Sequence, residues 1–118
     1  MPRQADIRSA GNHPLSAKAI AGTAQTITLA GSSASDATKI TSANVFVTTT
    51  SAGGAILPAS EAGDVFHINN AGGNTMTLYP PTGATINGTT SLSVATAKAC
   101  TVFFSTSTTC HSIPHVAT

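Results

Sequence analysis

Apolar and polar residues alternate along most of the chain in short runs, each closed by glycine, proline, asparagine or serine. Thr26-Ile27-Thr28-Leu29 places Ile27 and Leu29 on one face of an extended segment. Asn44-Val45-Phe46-Val47-Thr48-Thr49-Thr50 is β-branched and strand-like. Gly53-Gly54 is read as a turn before Ala55-Ile56-Leu57, which Pro58 ends. In Asp64-Val65-Phe66-His67-Ile68-Asn69, Phe66 and Ile68 share one face, Val65 and His67 the other.

The strongest local signal is Asn69-Asn70-Ala71-Gly72-Gly73-Asn74. It is rich in residues that tolerate positive φ and lies between two alternating runs, which predicts a hairpin. Its second strand is Thr75-Met76-Thr77-Leu78-Tyr79, broken by Pro80-Pro81-Thr82-Gly83. Thr85-Ile86 precedes an Asn87-Gly88 turn, Ser91-Leu92-Ser93-Val94 alternates again, and Cys100–Phe104 with Thr109–Ile113 form a closing hairpin. Strands at this spacing, with no amphipathic helix, predict an all-β fold: a small antiparallel β-sandwich or barrel of about eight strands.

Residues 1–24 lack any such period. They hold Arg3, Arg8 and Lys18, three of the five basic residues, together with Pro2 and Pro14. Ser16–Ala21 has room for one helical turn before Gly22. Two readings stand here: a frayed terminus, or an extended N-terminal arm that orders on a neighbouring subunit. The division expected is an arm over 1–24 and a β-sandwich domain over 25–118.

Composition sharpens this picture. Only 8% of residues are charged, the net charge is +1, and alanine, threonine and serine fill 53 of 118 positions. An average domain carries about 25% charged residues, so hydroxyls and amides must supply the polarity of this surface. Leu, Ile, Val and Phe total 23 residues, a thin core for a folded chain. Disorder pairs low hydrophobicity with high net charge, which this chain lacks. A thinly cored chain that packs on copies or a partner is the remaining reading. A charge of +1 argues against nucleic acid, which usually requires a basic patch. No apolar run approaches the roughly 20 residues of a membrane span, and residues 1–8 lack a secretory core, so synthesis and initial retention in the cytoplasm are expected.

No catalytic constellation stands out, and the chain is read as a non-enzyme with no cofactor and no metal. Glu61 and Asp64 are close in sequence, but in a turn where Asp caps backbone amides. Cys110, His111 and His115 offer metal-ligand chemistry within six residues. Cys110 and His111 nonetheless point to opposite faces of a strand, and Pro114 intervenes. His67 is read as a hydrogen-bonded structural residue. A loop centred on Ser105 would set Cys100 opposite Cys110, whereas a Thr106-Ser107 turn would leave them out of register; a reducing cytoplasm disfavours the bond. There is no G-x-S-x-G, no Gly-rich loop ending in lysine and no H-E-x-x-H.

One stretch, Ile56-Leu57-Pro58 through Gly63-Asp64 and Asn69-Asn70 to Gly72-Gly73, then Tyr79-Pro80-Pro81 and Gly83-Ala84-Thr85-Ile86-Asn87-Gly88, resembles a module of tailed-bacteriophage virion proteins. The shared pattern is LP-x-x-x-x-GD, an alternating strand ending in N, a Gly/Asn hairpin, a strand ending in YP, then G-x-x-ING. Many such modules close with a tryptophan; this chain has none, and Phe103-Phe104 stands in that place. Leu57, Pro58, Gly63, Asp64, Asn69, Gly72, Gly73, Pro80, Gly83, Ile86, Asn87 and Gly88 are scaffold residues of the motif, not a chemical site.

The resemblance implies a capsid decoration, or cement, protein on the outer surface of the phage head, bridging neighbouring copies of the major capsid protein. Self-association is expected with it, as a trimer first and a dimer second, and Arg3, Arg8 and Lys18 are the candidate capsid contacts on the arm. The alternative is a head-fibre or tail-fibre/baseplate module involved in host attachment. An unrelated bacterial surface or binding module is a third reading.

Overall fold

Until the closing pair, consecutive strands go to different sheets. A computed structural model describes residues 24–48 and 51–115. Within these residues ten strands run in order: β1 (Ala24–Ile27), β2 (Thr38–Lys39), β3 (Asn44–Val47), β4 (Gly53–Ile56), β5 (Val65–Asn70), β6 (Met76–Tyr79), β7 (Thr85–Ile86), β8 (Leu92–Val94), β9 (Lys98–Thr106) and β10 (Thr109–His115). The larger sheet has the order β1-β3-β5-β9-β10-β7 and the smaller β2-β4-β6-β8. β1, β3 and β5 are parallel neighbours, as are β2, β4 and β6. The chain therefore winds between two facing sheets as a β-solenoid of about four turns.

This corrects the expected antiparallel sandwich or barrel of about eight strands. Alternation along a strand tells which face is buried but not which strand lies beside it. Here the neighbour of each coil strand is its counterpart in the next coil: Ile27 sits beside Val47, and Val47 beside Asn70. A coil of roughly 20 residues cannot bury its apolar face alone and depends on its neighbours to do so. The hairpin expected over 69–74 is likewise a coil corner, because β5 and β6 belong to different sheets. Gly53-Gly54 is no turn either; both residues lie inside β4. Only the closing pair, β9 and β10, is the antiparallel hairpin the pattern indicated. The proposed arm, with Arg3, Arg8 and Lys18, lies outside the described residues, and Ala24 already belongs to β1.

The core is the inward row of each strand. Ile27, Val47, Ile68, Met76, Leu78, Ile86, Val102 and Phe104 are all buried, each contributing about 1.5–3 kcal/mol of transfer free energy. Phe66 meets Phe104 edge-on, with ring centroids 6.0 Å apart. Asn70 is fully buried at the β5 corner, and its amide makes the turn. Its Nδ2 donates to the carbonyls of Asn74 and Val94, each at 2.9 Å, and its Oδ1 accepts from the Gly72 N–H at 3.1 Å. Thr96 adds a hydroxyl bond to the Gly72 carbonyl. Asn70 therefore joins the third coil to the segment that enters β9. The loop before β2 is closed in a similar way: Asp36 Oδ1 accepts from the Ser32 and Ser33 N–H groups and from Ser33 Oγ. These bonds, that from the Ser33 N–H foremost, hold its carboxyl below the ordinary value.

Candidate functional site

The outward side chains of the larger sheet form three rows across the strands. One runs Thr26, Phe46, Asn69, Ala99, His115, and a second Ala24, Asn44, His67, Thr101, Ile113. The third is Val65, Phe103, His111. None of these residues is Asp, Glu, Lys or Arg. The charged side chains among the described residues lie elsewhere: Asp36 in the loop before β2, Lys39 in β2, Glu61 and Asp64 in the turn before β5, and Lys98 at the start of β9.

Among the described residues, the large apolar side chains left in solvent all belong to this face: Phe46 is 45% exposed, Val65 40% and Ile113 49%. Exposed apolar residues scattered singly require no explanation. Here three stand on one uncharged sheet face, each on a different strand, with His67 and Thr101 among them.

Histidines punctuate the same face. His67 Nδ1 lies 3.1 Å from Thr101 Oγ1, and His115 Nε2 lies 2.8 Å from the same oxygen. A hydroxyl has one proton to give, so one imidazole accepts from Thr101 while the other donates to it. If both rings were protonated, both would donate, and two positive charges would stand on either side of a single hydroxyl. Beside this triad is a shallow hollow of about 230 Å³ among Ala24, Asn44, Phe46, Asn69 and the two histidines. His111 stacks at a tilt on Phe103, centroids 5.2 Å apart, and its Nε2 meets Ser105 Oγ at 2.9 Å.

A serine beside a histidine is half of a nucleophile–base pair. Among the described residues no carboxylate is hydrogen-bonded to His111, so nothing orients it as a base. Cys110 points inward, its thiol donating to the Thr85 carbonyl at 3.3 Å, while His111 points outward. The two cysteines are free and buried. Cys110 lies opposite Phe104 and Cys100 opposite Pro114, which separates them by about 13 Å along the hairpin at roughly 3.3 Å per residue. Burial pushes the Cys100 thiol up to about 11 and raises that of Cys110.

The motif residues sit at coil corners and not on this face, with one exception. Leu57 is buried and donates its N–H to the Tyr79 carbonyl at 2.9 Å, with Pro58 next to it. Gly63 has φ 96 and precedes Asp64, whose Oδ2 accepts from the Glu61 N–H at 2.9 Å. Gly72 and Gly73 follow Asn70 at the β5 corner. Pro80 is buried after β6, and Gly83 has φ 84. Asn87 and Gly88 both have positive φ, 52 and 79, the signature of a type I′ turn after the fully buried Ile86. Asn69 is the exception and points outward. Sequence reasoning missed Asn70 as a corner residue, and it missed the joining of His67, Thr101 and His115. The signal for the first was an asparagine in an otherwise apolar inward row.

No family model, no curated protein and no solved structure matches the chain. Among the described residues no helix is long and apolar enough to cross a membrane.

Proposed function

We propose that the chain is a structural, non-catalytic component of a tailed-phage virion, acting as a capsid decoration protein on the outer surface of the head. The observation that carries this reading is the uncharged outer face of the larger sheet, with Phe46, Val65 and Ile113 in solvent. Interfaces are depleted of charge at their centres and enriched in aromatic residues. A solenoid whose coils are held by buried rows and satisfied corner amides is a rigid block suited to bridging neighbouring capsid proteins. The resemblance of residues 56–88 to phage virion modules supplies the setting. Stabilisation of a shell by such a protein is mass action: the assembled head must bind it better than free subunits do. On this reading the chain also self-associates, as a trimer or a dimer, and its partner is the major capsid protein.

A second reading, a head-fibre or tail-fibre/baseplate module, is favoured by the coiled architecture. The edges of β1 and β2 are parallel coil edges, on which a longer solenoid can be continued. Locating the chain on virions by electron microscopy separates the two. Density on the head supports decoration, and density on tail or fibre replaces it. Heads stripped of the protein should lose resistance to heat; undiminished resistance overturns the cement role.

A further inference from the structure

We infer that the outer face of the larger sheet is the surface on which a second copy of this chain docks, and that the His67–Thr101–His115 triad makes this docking sensitive to acid. The inference rests on the reading that the chain works by packing, and it names the partner and the control of that face.

Charge argues for a copy as the occupant. In a self-complementary contact the same patch meets itself, so any net charge on it would face its own kind. The three outward rows carry none. A partner recognised by charge would leave acidic or basic residues on the rows, and those of the described chain sit in loops, in β2, or at strand starts.

Area points the same way. Five strands about 4.8 Å apart and roughly 20 Å long give about 500 Å² of projected face per copy. Two such faces total about 1,000 Å², the lower limit for a specific interface. The pairing is accordingly weak and concentration-dependent, with Phe46 and Ile113 its main apolar anchors and the hollow beside His67 open to a side chain of the other copy.

Protons enter through the histidines. The strands of the face bring His67 on β5 and His111 and His115 on β10, while β1 and β3 bring no titratable group. Glu61 and Asp64 lie in the turn before β5, Lys98 lies at the start of β9, and Cys100 faces the core. While the two imidazoles carry no charge, the Thr101 hydroxyl satisfies one on each side. Histidine gains charge as pH falls from 8 to 5. Docking would then bury imidazolium groups of both copies together, a burial that costs heavily without counter-charges. Acid therefore separates the copies.

The test is sedimentation equilibrium of the full chain under reducing conditions, across the micromolar range, at pH 8 and pH 5.5. A mass above the monomer is expected at pH 8, falling toward the monomer at pH 5.5. Phe46→Asp and Ile113→Asp should each weaken association about tenfold or more. Ser93→Asp, an exposed substitution on the smaller sheet, should leave it unchanged, with circular dichroism verifying the fold of each. The double variant His67→Gln, His115→Gln should stay associated at pH 5.5. A monomer at every concentration at pH 8 overturns the inference, as does an oligomer indifferent to both aspartates. Association unaffected by pH overturns the role of the triad. If the chain stays monomeric while Phe46→Asp abolishes binding to phage heads, the face belongs to the shell and the inference fails while the proposed function stands.

Discussion

Asn87 grips Ser112 with both ends of its amide: Oδ1 accepts from the Ser112 N–H at 3.0 Å, and Nδ2 donates to Ser112 Oγ at 2.7 Å. The Asn87 N–H also donates to the Cys110 carbonyl at 2.9 Å. The turn after β7 is thereby fastened to β10. Asn87 holds φ 52, which asparagine tolerates and most residues do not. Asn87→Ala loses both side-chain bonds and strains the backbone, an expected cost of about 2–3 kcal/mol in urea denaturation. Asn87→Gly keeps the backbone and loses only the bonds, so its midpoint should fall between those of the parent and the alanine variant.

Removing the buried amide of Asn70 should do more harm. Asn70→Ala leaves the Asn74 and Val94 carbonyls and the Gly72 N–H without their side-chain partner. Unsatisfied buried groups cost about 1–3 kcal/mol each. We expect a drop in thermal midpoint of about 10 °C or more, with hydrogen exchange at Gly72 accelerated.

Gly54 is fixed by the ring that lies on it. A Cβ there would come within 2.7 Å of the Tyr79 ring and 3.0 Å of the Thr77 carbonyl oxygen. Gly54→Ala should cost about 1–3 kcal/mol through overpacking. Gly54→Ala combined with Tyr79→Leu should recover part of it; no recovery in the double variant would mean that the Thr77 backbone is the obstacle.

Alkaline pH should loosen the fold through Cys100. Its thiol ionises at about 11 in the folded chain against a reference value of 9.0. Between those values the unfolded chain has lost the proton and the folded chain has kept it. Stability from this group is therefore complete below about pH 9 and is lost as pH rises toward 11. The urea midpoint should fall between pH 8.5 and pH 10.5, and the fall should be smaller in Cys100→Ala. A thiol reagent at pH 8 should read both cysteines only after unfolding.

Strand positions were legible in the alternation of Ile27/Leu29, Phe66/Ile68 and Met76/Leu78, because burial of one face imposes a period of two. Partners were not legible. Asn70, Gly72 and Gly73 suit a tight hairpin as well as a coil corner, since both ask for positive φ and a local amide bond. The difference lies in Val94 and Thr96, which receive and complete the corner from 24 residues away. β2, two residues long, is too short to show a period. Gly53-Gly54 suggested a turn because glycine is permissive, whereas Gly54 answers to the close approach of Tyr79. The outer face was half legible: low charge announced a surface of hydroxyls, amides and small apolar side chains. Which residues share that surface depended on β5, β9 and β10 becoming neighbours, and so His67 and His115 met only in the fold.

The hairpin β9–β10 stands between β5 and β7 in the larger sheet, while β8 pairs directly with β6, antiparallel, in the smaller one. The two ends of the solenoid consequently differ in kind. One ends in the parallel coil strands β1 and β2; the other ends unevenly, with two-residue β7 separated from β5 by two strands and β8 reversed in direction. A coil edge of one molecule finds no matching edge at the far end of the next. Among the described residues the two ends are therefore not built to continue one another, and the chain's own course disfavours head-to-tail stacking of coils.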